Sequence, residues 1–145
     1  MSSQTTYDAF ETRIRTGFTA LPLVFENEFA QNYVEASQSF VYVEVFGDTY
    51  DQESFGAPQE NMWLEQGATY LHVMVPSGQG TRQARGYCND LLNLFREQPL
   101  TTANGTIFMP RMSIGNGEPG HDFPNFFAMT AVIYWHRRDI TDLTP

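Results

Sequence analysis

"VMVPSGQGTRQARGYCNDLLNLF", residues 73–95, decides the fold. An apolar run ends at Pro76, glycines follow at 78 and 80, and a helical pattern opens behind them. Strand, tight turn and amphipathic helix in this order is how many proteins cradle a phosphate. A P-loop, however, requires a lysine after its last glycine, and here Thr81-Arg82 follows Gly80 in a chain without lysine. A dinucleotide fingerprint requires a third glycine where Gln83 stands. The helix start keeps only a weak attraction for anions. The glycines are therefore read as a tight turn that lays the helix back on a sheet. Ala84, Tyr87, Cys88, Leu91, Leu92 and Phe95 form one apolar stripe, and Arg82, Arg85, Asn89, Asn93 and Arg96 take the other face.

Working outward, Thr5 with Asp8 reads as a capping box. Tyr7, Phe10, Ile14, Phe18 and Leu21 then recur at helical spacing, predicting a helix from about Thr6 to Ala20 that Pro22 stops. "LPLVFENEF" is a short extended piece, and Asn27, Asn32 and "EASQS" read as loop. "SFVYVEVFGD" alternates: Val41, Val43 and Val45 share one face, and Phe40, Tyr42, Glu44 and Phe46 the other. Turn residues and acids across Gly47–Asn61 predict a projecting loop. "MWLEQGATYLHVMV" predicts two strands joined by a turn at Gln66-Gly67. Pro99 ends the second helix, "GTIFMPR" predicts a short strand, and Met112–Pro124 predicts a second glycine-rich loop. "NFFAMTAVIYWHRR" is apolar on both faces, as suits a long central strand. The grouping of elements predicts an α+β fold (an α/β sandwich), a mostly antiparallel sheet with two helices packed on one face. A single domain spanning 1–145 is expected, with loose ends at about 1–5 and 140–145.

The 145 residues include 41% hydrophobic and 14% aromatic side chains, an ordered composition. The apolar runs fall far short of a membrane span, the N-terminus lacks signal-peptide features, and a soluble chain is expected. One cysteine, Cys88, leaves no internal disulfide and no CxxC metal site. Seventeen acidic residues against 8 arginines give a formal charge of −9, which opposes sequence-independent binding to DNA.

Catalytic signals are absent. His72, His121 and His136 lack metal-ligand spacing. Cys88 lies on an apolar stripe, where cysteine behaves as a small hydrophobe. The pairs Glu26/Glu28 and Asp51/Glu53 lack surroundings that would separate their pKa values, as acid–base work needs. No catalytic, cofactor or metal residue is therefore assigned, and an enzyme is not expected. Tyr50, Phe55 and Phe123, aromatic residues among polar loop residues, are the candidate protein contacts.

The first amphipathic helix running into "ALPLVFENEFAQ", the strand "FVYVEVF", the segment "YLHVMVPSGQGTRQARGYCNDLLNLFREQ" and the closing "FFAMTAVIYWHRRD" resemble the tail terminator proteins of long-tailed phages. That family is the lambda-type set, with minor tail proteins of prophages and gene transfer agents. The resemblance runs from about Tyr7 to Asp139 and lies in element order and spacing. It implies a structural virion protein without catalysis or cofactor, assembled in the host cytoplasm. A homohexameric ring on the head-proximal end of the tail would stop tube polymerisation and offer a surface for head–tail joining. The implied partners are the chain itself, the major tail tube protein and the head–tail connector or stopper protein. DNA would pass the channel without specific binding. A connector or stopper subunit is the alternative within virions; a small ligand-binding domain or enzyme is the alternative outside them.

Overall fold

The computed structural model describes residues 2–78, 80–116 and 126–141. Along the chain come α1 (Gln4–Gly17), β1 (Leu23–Phe25), α2 (Gln31–Glu35), β2 (Phe40–Gln52), β3 (Met62–Pro76), α3 (Arg82–Asn93), β4 (Leu100–Thr102), β5 (Gly105–Asn116) and β6 (Phe126–Ile140). The strands form one six-stranded sheet in the order β1-β2-β3-β6-β5-β4, parallel only between β1 and β2. The expected α+β class holds, with β3 and β6 central.

The valine alternation of β2 puts Val41, Val43 and Val45 on the helix-facing side, level with Val73, Leu71 and Thr69 of β3. Against them pack Phe10 and Ile14 of α1, Leu91 and Leu92 of α3, and Phe95 just beyond it, all buried in one cluster with Ile133 and Trp135 of β6. The Phe10 ring lies 5.3 Å from that of Phe95 and 6.0 Å from that of Trp135. Aromatic pairs at this spacing add to the burial itself. The stripe read on α3 is this core face. Cys88 is buried in it, and burial pushes its thiol pKa up to about 12.

Several expectations need correction. The first helix starts earlier than Thr6 because Ser3, not Thr5, is its cap: the Ser3 hydroxyl accepts from the Thr6 N–H at 3.4 Å. It stops at Gly17, where Phe18 turns extended. No turn breaks β3 at Gly67. That glycine serves close approach, since a Cβ there would collide with the Phe46 carbonyl oxygen and the Trp135 ring. The predicted projecting loop loses Gly47–Gln52 to β2, leaving residues 53–61 as the hairpin. Met112–Asn116 of the second predicted loop extends β5, and 117–125 lie outside the described residues. The short α2 forms where loop was expected, β4 is a further strand between α3 and β5, and β3 equals β6 in length at 15 residues. At the ends expected to be loose, Ser2 donates to the Val45 carbonyl and Thr141 accepts from the Trp63 indole at 2.8 Å, while 1 and 142–145 lie outside the described residues.

The short α2 covers one end of the other sheet face, where Phe40, Met74, Phe126 and Ala128 form a second buried cluster. The far end of that face carries exposed Phe46, Phe108 and Tyr134, with no helix among the described residues over them.

Candidate protein-contact site

The root of the β2–β3 hairpin departs from simple alternation. Gly47 pairs with Gly67, yet Thr49 pairs with Gln66, so the register shifts by one residue around Asp48. A bulge of this kind places two residues opposite one and reverses the facing of everything after it. Tyr50 would otherwise share the outer face of Phe46. The shift sets it opposite Glu65, on the helix side.

There Tyr50 meets a buried charge network. Arg137 of β6, directly opposite Glu65 of β3, has a side chain only 2% exposed, as does Glu65. Its Nε and Nη2 donate to Glu65 Oε1 at 3.2 and 3.1 Å. Its Nη1 reaches Asp139 Oδ2 at 2.7 Å and the Asn104 carbonyl at 2.5 Å. Nη2 also donates to the Tyr50 hydroxyl at 3.2 Å, and that hydroxyl donates to Asp139 Oδ2. The α1 N-terminus closes the network: the Ser3 N–H, Ser3 hydroxyl and Thr6 hydroxyl donate to Glu65 at 2.6, 2.8 and 2.7 Å. Three strands and a helix start thus converge on one guanidinium, whose planar fork of five donors suits such multiple contacts.

The electrostatics follow from the geometry. Burial alone would push the Glu65 pKa up, but the bonds from the Ser3 N–H, Thr6, the Ser3 hydroxyl and Arg137 outweigh it and hold the carboxyl below its ordinary value. Burial likewise opposes the charge on Arg137, but Asp139 and Glu65 raise its pKa above the ordinary value. Burial and the Asp139 hydrogen bond raise the Tyr50 pKa.

Above this root, the hairpin displays Phe55 at 82% exposure among Asp51, Glu53 and Glu60. Glu53 pairs with Arg138 at 2.8 Å on the surface. Of the aromatic residues singled out in sequence, Phe55 is a free tip. Tyr50 is half tip and half anchor, with its hydroxyl in the network and its ring edge-on to Trp63 at 5.8 Å. Phe123 lies outside the described residues. Sequence reading missed exposed Phe29 and the outer-face residues Phe46, Phe108 and Tyr134. Alternation in β2 was the one available signal, since it puts Phe46 opposite the valines. Arg137 was also missed, because an Arg-Arg pair before two aspartates reads as surface.

The remaining candidates are accounted for locally. His72 bridges Thr130 at 2.8 Å and Glu44 at 2.9 Å on the outer face, and that His72 bond lowers the Glu44 pKa. Burial and Arg138 lower the pKa of His136; His121 lies outside the described residues. Glu28 accepts the Phe25 N–H and pairs with Arg15, and Glu26 accepts the Val45 N–H. Among the described residues no three His, Cys, Asp or Glu side chains group as metal ligands. No helix among them is long and apolar enough to cross a membrane. Gly78 and Gly80 both take positive φ, 93° and 73°, which explains glycine at these turn positions.

No family model matches the chain, and no curated protein matches it. Among solved structures 17 chains match. One, known by a sequence identifier without a descriptive name, is similar to this chain over 100% of its length and 99% of the other's, with 20% identity and a TM-score of 0.56. At that identity the likeness shows a shared fold and carries no function.

Proposed function

We propose that this protein is a tail terminator, a structural virion protein that forms a ring on the head-proximal end of a tail tube. The reading is carried by one observation: the chain invests its buried charges in rooting a hairpin whose tip, Phe55, is 82% exposed. Catalysis uses buried ionisable groups with free valences, whereas here the Glu65 and Arg137 groups hold the backbone in place. A rigid root presenting an exposed aromatic residue suits protein contact, where such anchors carry much of the binding energy. A growing tube exposes an unclosed, heterologous face on each ring. A terminator must bind that face and present a different one upward, and a body with a covered and a partly bare sheet face provides unlike surfaces. Its partners in this reading are further copies of itself, the tube protein and the connector above. A net charge of −9 per copy keeps passing DNA from sticking.

Deleting the gene in a particle-producing host is expected to give headless tails of abnormal length beside filled, tailless heads. Normal-length tails that fail to join heads would replace this reading with a connector. Unaltered particles would refute the virion assignment.

A further inference from the structure

Charge is segregated along this chain. Between Arg15 and Arg82 stand nine acidic residues and no arginine or lysine. The β2–β3 hairpin and its approach expose Asp48, Asp51 and Glu60, none in an ion pair among the described residues. The first turn of α3 has the opposite character: Arg82 and Arg85 are exposed there and likewise without a carboxylate partner among the described residues, and the exposed acid of this helix, Asp90, stands more than a turn further on. One turn on from Arg82, beside Asn89 and Asp90, lies Gly86, a glycine in mid-helix. A Cβ there would meet nothing within 4 Å, and its φ is not positive. Neither crowding nor backbone conformation within the chain explains it, and in a helix interior it is destabilising relative to alanine. Bare backbone on an exposed helix face leaves room for a side chain from outside.

We propose that this α3 face receives the hairpin of a second copy, with Phe55 seated over Gly86 and Asp51 and Glu60 beside Arg82 and Arg85. One copy cannot satisfy itself. The hairpin joins β3 at Met62 and α3 follows from its other end at Pro76, 14 steps that span roughly 45 Å at strand spacing. The contact is heterologous, a tip on one copy and a helix on the next, which is the type that closes rings. The inference rests on the ring reading for closure, though the pairwise contact can be tested without a tail.

The test compares the purified full chain with two exposed double variants, Arg82→Glu/Arg85→Glu and Asp51→Arg/Glu60→Arg, by sedimentation velocity over a concentration series. Wild type is expected to self-associate reversibly. Each double variant sets like charges opposite one another and is expected to weaken association about tenfold or more. An equimolar mixture of the two restores it, because every acidic tip then finds a basic helix or the reverse. Each variant shifts the charge by four units from −9, so both stay negative and net attraction cannot explain the rescue. Gly86→Leu should also weaken association while leaving the thermal midpoint of the chain no lower. Association unchanged in both double variants, a mixture that behaves as its parts, or a wild type that stays monomeric throughout would overturn the inference. Charge-swap rescue beside unaltered particles on gene deletion would keep the contact and remove the tail reading. Altered tails with no effect of the swap would do the reverse.

Discussion

Replacing Arg137 with methionine tests whether the hairpin root is held by charge. The substitution keeps much of the side-chain volume and removes every donor. Left behind are Glu65, with its side chain 2% exposed, and Asp139, at 9%, two carboxylates without their cation. Breaking one partner out of a buried pair costs about 3–5 kcal/mol, because an uncompensated charge stays buried. At roughly 2–4 °C per kcal/mol for chains near this size, the thermal midpoint should fall by roughly 6–20 °C. The pH dependence carries the sharper signature. In wild type the Glu65 pKa is depressed, so its contribution is full above the unfolded-state value and is lost as pH falls through the folded value. Without Arg137 the Ser3 and Thr6 bonds remain, but one of the groups that offset burial is gone and the folded pKa rises. Glu65 then contributes less at neutral pH than it does in wild type, and that difference disappears once the carboxyl is protonated in both. The gap between variant and wild type should therefore narrow between pH 7 and about pH 4, read by urea unfolding at each pH. A loss under about 1 kcal/mol at pH 7, or a gap that widens on acidification, would refute the reading that Arg137 compensates these carboxylates.

Leu91 is fully buried between α3 and the sheet, so Leu91→Ala should cost about 2–5 kcal/mol by urea unfolding, and a loss below about 1 would mean that this stripe is not core. Gly80→Val forces a β-branched residue to φ 73° and should destabilise by roughly 1–2 kcal/mol, although the space around it is open; an unchanged midpoint would show that the turn adapts without glycine.

What was legible in the sequence was what periodicity encodes. The valines of β2, the stripe of α3 and the double-sided apolar run of β6 each report a face through spacing alone, and all three sit where spacing put them. Gly67 misled because a glycine after glutamine in a strand pattern signals a turn, while the reason for it is the Phe46 backbone across the ladder, a neighbour 21 positions away. Acidic turn residues hid the length of β2 for a related reason: Asp48 sits in the bulge and Asp51 is a poor strand former, yet the pairing of Thr49–Gln52 with β3 carries the strand past them. Five-residue α2 and three-residue β4 are too short to show a period. Arg137 could not be seen at all, since its burial depends on Glu65, 72 positions earlier, and on the turn at Ser3.

The placement of the charge network follows from where the helix layer begins. Over most of the sheet the inner face is covered by apolar residues of α1 and α3, and β3 and β6 supply Leu71, Val73 and Ile133 there. Two rungs beyond Gly67 the strands outrun that cover, and what lies over them is the first turn of α1, whose free N–H groups and Ser3 and Thr6 hydroxyls favour a carboxylate. Glu65 fills that position, Arg137 neutralises it from the adjacent strand, and the Asp48 bulge delivers Tyr50 to the same spot. Well-packed hydrophobic residues of similar volume can match such a cluster in stability, so stability is not the reason for it. Its distinguishing property is direction. A slip of one residue between strands turns every side chain to the wrong face, and an apolar patch penalises that slip only through area, whereas a guanidinium with five donors in a fixed plane meets its acceptors in one register alone. The cluster therefore fixes where β2 and β3 leave the sheet, and with it where Phe55 stands, which is the requirement a contact hairpin imposes and a solvent loop does not.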